Sequence, residues 1–184
     1  MSARRVVVRA FGDAAIREAV TARPVSVVAV GKAAAGMATT FVELPGPSIR
    51  RVVAIATHAP DSMPVTIEWI EASHPFPDQR SEYAASRALD VASGVAAGET
   101  LVVLLSGGAS SLMSAPIDGL TLSDKIRTTR LMMESGADIH ALNTVRRHLS
   151  RVKGGRLAAA CAGRTVTLAI SDVIGDDLAA IGSG

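Results

Sequence analysis

Four short stretches of this 184-residue chain collect residues able to hold an anion or a hard cation. In "AVGKAAAGMA" an apolar run closes at Gly31, and Lys32 leads into strong helix formers. Free N–H groups at a helix start attract anions, whereas the helix dipole disfavours a lysine there, so a bound anion would account for Lys32. In "SGGASS" (Ser106, Gly107, Gly108, Ala109, Ser110, Ser111) glycines bare the backbone and hydroxyls add donors, a combination that can form an anion-binding concavity. "SDVIGDDL" places Asp172, Asp176 and Asp177 around Gly175, an oxygen-rich set suited to Mg²⁺, with Asp172 the best placed as metal ligand or base. "NTVRRHLSRVKGGRLA" brings Asn143, Arg146, Arg147 and Ser150 onto neighbouring turns, with Lys153 and Arg156 near the next helix start, where arginine forks could grip a carboxylate or phosphate. Each stretch has a plainer reading: a tight turn, a capped and solvated turn, or a charged outer face. His148 reads as a packing or surface residue rather than a base, and His74, before Pro75, stays open.

Several chemistries are absent from the pattern. Gly31 and Gly36 stand in the wrong relation to Lys32 for a Walker A loop, and neither G-x-G-x-x-G nor G-x-S-x-G occurs. A net charge of +2 would help draw in a small anion but forms no basic stripe for nucleic acid. The single cysteine, Cys161, cannot make an intrachain disulfide, which points to a reducing, cytoplasmic setting. "MSARRVVVRAF" starts like an export signal, but its apolar run is too short and Asp13 follows quickly. No stretch approaches a membrane span.

The elements that must position these residues follow from patterning. Apolar, β-branched runs predict strands at 24–31, 50–58, 65–75, 100–105 and 164–173. Helical stretches are expected at 32–44, 81–97, 121–136 and 138–155, the third opened by a Thr121-x-x-Asp124 signal resembling a capping box. Alternating strands and helices predict an α/β domain with a mainly parallel sheet and helices on both faces, and in such sheets ligands bind beyond the carboxyl ends of the strands. Gly31-Lys32, the Ser106 loop and the Asp172 turn all fall at such ends.

Taken together, "VGKAAAGMA", "SHPFPDQRS", "LLSGGASSLMSAPIDGLTLSDK", "SGADIHALNTVRRHLSRVKGGRLA" and "SDVIGDDLAAIGSG" resemble the class II glycerate kinases, in family order and over most of the chain from about Val25 onward. The resemblance implies a Rossmann-like three-layer N-terminal domain, with the C-terminal MOFRL domain of the family lying outside residues 1–184. It implies ATP- and Mg²⁺-dependent phosphorylation of D-glycerate to 2-phosphoglycerate. The carried-over roles are Lys32 and Asp172 in catalysis and Asp172 and Asp177 at the metal. Gly31, Ser106, Gly107, Gly108, Ser110, Ser111, Asn143, Arg146 and Lys153 would bind substrate or phosphate. The expected partners are glycerate and nucleotide, not nucleic acid or membrane; self-association or a separate C-terminal domain would cover the exposed face. The rival readings are a non-catalytic ligand-binding or interaction module and a hydroxypyruvate reductase, a name given to similar proteins that these motifs do not support. The family usually has glycine where this chain has Ala109, so alanine would be strained if that position needed positive φ.

Overall fold

The computed structural model describes residues 2–62, 64–171 and 181–183. Five strands, β1 (Pro24–Val30), β2 (Ser48–Ala56), β3 (Ile67–Glu71), β4 (Thr100–Leu105) and β5 (Arg164–Ala169), form one sheet in the order β3-β2-β1-β4-β5. Every pairing is parallel. Helices lie on both faces, as alternation along the chain predicts, and the order is that of a Rossmann sheet. Six of the seven β1 residues are buried because neighbouring strands flank it and helices cover both faces, which is why "PVSVVAV" reads as a continuous apolar run.

Alternate residues of these strands feed two separate cores. On one face Val25, Val27, Ala29, Val52 and Ala54 pack with helices α1 (Ala3–Gly12), α2 (Ala14–Thr21) and α3 (Ala34–Val42), through Val7, Val20, Met37 and Phe41. On the other, Val28, Val30, Val53, Ile55 and Leu101 pack with α4 (Gln79–Ser93), α5 (Ala109–Leu112) and α8 (Arg156–Ala159). Small side chains such as Ala84, Ala85, Ala88 and Ala92 let α4 lie close to the sheet. The remaining helices, α6 (Leu122–Glu134) and α7 (Ile139–His148), pack on each other.

Local signals set most boundaries. Thr121 and Asp124 form the expected capping box, with Asp124 N–H donating to Thr121 Oγ1 and Thr121 N–H to Asp124 Oδ2, each at 3.1 Å. Asp138 caps α7 by accepting from Ala141 N–H at 2.8 Å. One expectation is corrected. The helix expected at 138–155 stops at His148, because backbone after it pairs elsewhere: Ile117 N–H donates to Leu149 O and Arg151 N–H to Ala115 O. The basic-then-apolar start forms α1, an amphipathic helix capped by Ser2 that buries Val7.

Candidate functional site

The chain leaves β1 and β4 toward opposite sides of the sheet, so the gap between their carboxyl ends is where a crevice must open. Two loops clamp one another there. Gly31 adopts φ 121°, and Lys32 N–H donates to Gly107 O at 2.9 Å. Ser106 Oγ accepts from Ala33 N–H at 3.0 Å and lies 3.4 Å from Val30 O. The Ser106 hydroxyl and the Gly107 carbonyl are therefore occupied in joining the strand ends, and the Lys32 side chain is exposed beside them. Gly108 turns the chain at φ 90°, with its α-carbon facing the His74 ring, and opens the short α5. Ala109 is the first residue of that helix and is buried; the positive φ falls one residue earlier, at Gly108, so alanine carries no strain here.

Beyond this turn lies a cavity of about 580 Å³ between the 74–77 loop, α5, α6 and α7. Its polar floor is made by Ser110, Ser111, Ser114, Lys125, Arg146 and Lys153. Lys125, on the inner row of α6, is 4% exposed and donates to Ser114 Oγ at 3.1 Å. Lys153 is 5% exposed and donates to Ser110 Oγ at 3.2 Å and to Gly182 O at 3.0 Å. Ser110 Oγ also lies 2.5 Å from Ser183 Oγ. Arg146 is half-buried and makes no hydrogen bond or ion pair among the described residues. Apolar walls come from Pro75, Phe76, Ile126 and Met133.

Three buried or half-buried cations thus face one space, with exposed Arg130 at its edge, and among the described residues the hydrogen-bond acceptors on the two lysines are neutral. Burial, then the charge of Arg146, lowers the Lys125 ammonium to about 8, against a smaller opposing pull from Glu82. Burial, then Lys125 and Arg146, pushes Lys153 well below the ordinary lysine range, and burial lowers Arg146. Buried charge without an ion-pair partner is costly, so a floor of this kind suits an anion. No group of three or more His, Cys, Asp or Glu able to hold a metal occurs among the described residues.

Of the residues singled out from sequence, Gly108, Ser110, Ser111, Arg146 and Lys153 line this cavity. Gly31, Lys32, Ser106 and Gly107 lie at the adjoining clamp and not on its lining. Asn143 is 3% exposed with its Oδ1 unpartnered, and it is not on the lining. Asp172 and Asp177 lie outside the described residues. Lys125, Ser114 and Ser183 were not expected. The signal for Lys125 is its position three residues after Leu122 and four before Thr129, a lysine on the inward row of an amphipathic helix.

Fold and cavity together define an α/β domain of Rossmann strand order with a cation-lined cavity beside the β1–β4 crevice. The chain belongs to the DUF4147 family, described as a domain of unknown function, which matches residues 2–184. It is 41% identical over 160 residues to a glycerate 2-kinase of Pyrococcus horikoshii, covering 87% of this chain and 36% of that protein. It is 43% identical over 160 residues to an Agrobacterium vitis protein provisionally named a hydroxypyruvate reductase, covering 86% of this chain and 36% of that one. The crystal structure of a glycerate kinase from Thermotoga maritima superposes with a TM-score of 0.84 at 37% identity, covering 99% of this chain and 46% of the other. The chain therefore spans less than half the length of these relatives.

Proposed function

We propose that this domain serves ATP-dependent phosphorylation of D-glycerate to 2-phosphoglycerate. The observation that carries the reading is the set of three cations, Lys125, Arg146 and Lys153, turned into one cavity and, among the described residues, without a carboxylate bound to any of them. Transfer of a phosphoryl group is catalysed mainly by positioning and by offsetting charge on phosphate oxygens, and these residues supply both. In the reaction, a bond forms from the C2 hydroxyl oxygen of glycerate to the terminal phosphorus as the bond to the donor's leaving oxygen breaks, and the hydroxyl proton departs. Arg146 and Lys153 hold oxygens of the transferred group, Ser110 orients the Lys153 ammonium, and Lys125 attracts the acid's carboxylate. Lys32, beside the clamp, reaches toward the donor phosphates. Mg²⁺, when bound, neutralises the phosphate charge; Asp172 and Asp177 are its proposed holders on the family resemblance, with Asp172 also the proposed proton acceptor.

The open mouth, flanked by exposed Phe76 and Met133, fits closure by a second domain of the MOFRL type or by a second copy of the chain. The one free cysteine, Cys161, suits a cytoplasmic setting. No helix among the described residues is long and apolar enough to cross a membrane.

The test is formation of 2-phosphoglycerate from D-glycerate and Mg-ATP, followed by mass spectrometry. Arg146→Ala is expected to lower kcat/KM by about a hundredfold, the scale of losing one charge-stabilising contact. Undiminished turnover in that variant would remove the cavity from the reaction. Ligand binding without turnover by this chain would favour the reading of a binding module, and oxidation of reduced nicotinamide by hydroxypyruvate would favour the reductase.

A further inference from the structure

We propose that the cation cavity holds acids bearing both carboxylate and phosphate, 2-phosphoglycerate first among them, more tightly than it holds D-glycerate, so that the product is the ligand the resting site prefers. The inference rests on the kinase reading for the identity of the acid, and on the cavity itself for the preference.

The argument is a count of charge and of anchoring elements. Lys125 comes from α6, Arg146 from α7 and Lys153 from the turn before α8, so the three cations approach from separate parts of the chain. The hydrogen-bond acceptors on the two lysines are Ser114 Oγ, Ser110 Oγ and Gly182 O, all neutral. Arg130 and His74 also line the space, and the lining carboxylate, Glu134, is exposed and forms no ion pair with any of these groups.

D-Glycerate brings one carboxylate. It can answer one of the three cations and leaves the other two without an ion-pair partner among the described residues, apart from the weak pull of Glu82 on Lys125. An acid that also carries a phosphate places a second, more highly charged group at a distance from the first, and so reaches cations on different elements at once. The Arg146 guanidinium, with its donors uncommitted among the described residues, offers the planar fork that phosphate oxygens match. A volume of about 580 Å³ accommodates such an acid without displacing the walls. The kinetic consequence is product inhibition competitive with glycerate.

Isothermal titration of the 184-residue chain at neutral pH with D-glycerate, 2-phosphoglycerate and inorganic phosphate tests this. The expected result is a Kd for 2-phosphoglycerate at least about tenfold below that for D-glycerate, the gain of one further charge-assisted contact. Inorganic phosphate should bind more weakly than 2-phosphoglycerate, because it lacks the carboxylate. Arg146→Gln, checked for folding by circular dichroism, should collapse the preference, and Arg146→Lys should restore part of it. Equal or tighter binding of glycerate, no binding of 2-phosphoglycerate, or a preference unchanged in Arg146→Gln would overturn the proposal. Glycerate turnover without that preference defeats this inference and leaves the kinase reading standing. The preference without any turnover does the reverse.

Discussion

The Lys125 ammonium gives one hydrogen bond, to a hydroxyl, and sits 4% exposed within reach of the Arg146 charge. Its depressed value, about 8 against an ordinary 10.5, has a thermodynamic sign. Between those two values the unfolded chain binds the proton that the folded chain has already released, so stability rises with pH across that window and the full cost is present below it. Lys153 contributes in the same direction. The urea midpoint should therefore climb from pH 7.5 to pH 9.5 in the ligand-free chain, and Lys125→Met should flatten the climb. At pH 7.5 that variant should be more stable by about 1–2 kcal/mol, because an apolar group replaces a buried unpaired charge, while its affinity for anions falls. Loss of stability in Lys125→Met would show that the lysine is compensated in a way its contacts do not reveal.

Among the elements, the clamp between β1 and β4 is the part most dependent on backbone shape. A β-carbon on Gly31 would lie 2.7 Å from the Ser106 carbonyl carbon, at a φ of 121° that L-residues rarely adopt. Gly31→Ala should thus cost about 3 kcal/mol, readable as a lowered midpoint in chemical denaturation, since neither the loop nor the strand end has room to yield. This region was legible in the sequence: β4 occupies Thr100–Leu105 as its apolar run indicates, and the glycine turns fall where the strands stop. Other elements were not legible, for physical reasons. The end of α7 is decided by pairing of 149–151 with 115–117, a non-local contact that no helical period records. The same break carries Lys153 off the helix and into the cavity floor. Lys125 was hidden because a lysine on a helix normally faces water, and only the tertiary packing of α6 against α7 gives it an inward place. α1 was overlooked because its basic-then-apolar start, too short for a leader, also spans fewer than three helical turns.

At the scale of the whole molecule, the cavity joins two regions of unequal cohesion. One wall rests on α4, α5 and the sheet, where β1 has six buried residues and pairs on both sides. The opposite wall is α6 and α7, which bury Lys125, Leu142 and Asn143. A helix pair with so little apolar anchorage can open while the sheet stays folded, so the two walls should differ in local opening free energy. Amide hydrogen exchange reads this directly: β1 amides should exchange only with global unfolding, and α6–α7 amides far sooner. An anion linking Lys125 and Arg146 to Lys153 would then slow exchange in α6 and α7 while leaving β1 unchanged. Uniform protection before and after ligand would refute the unequal walls. Such a split in exchange would make α6 and α7 a helical flap whose closing depends on the charge that fills the cavity.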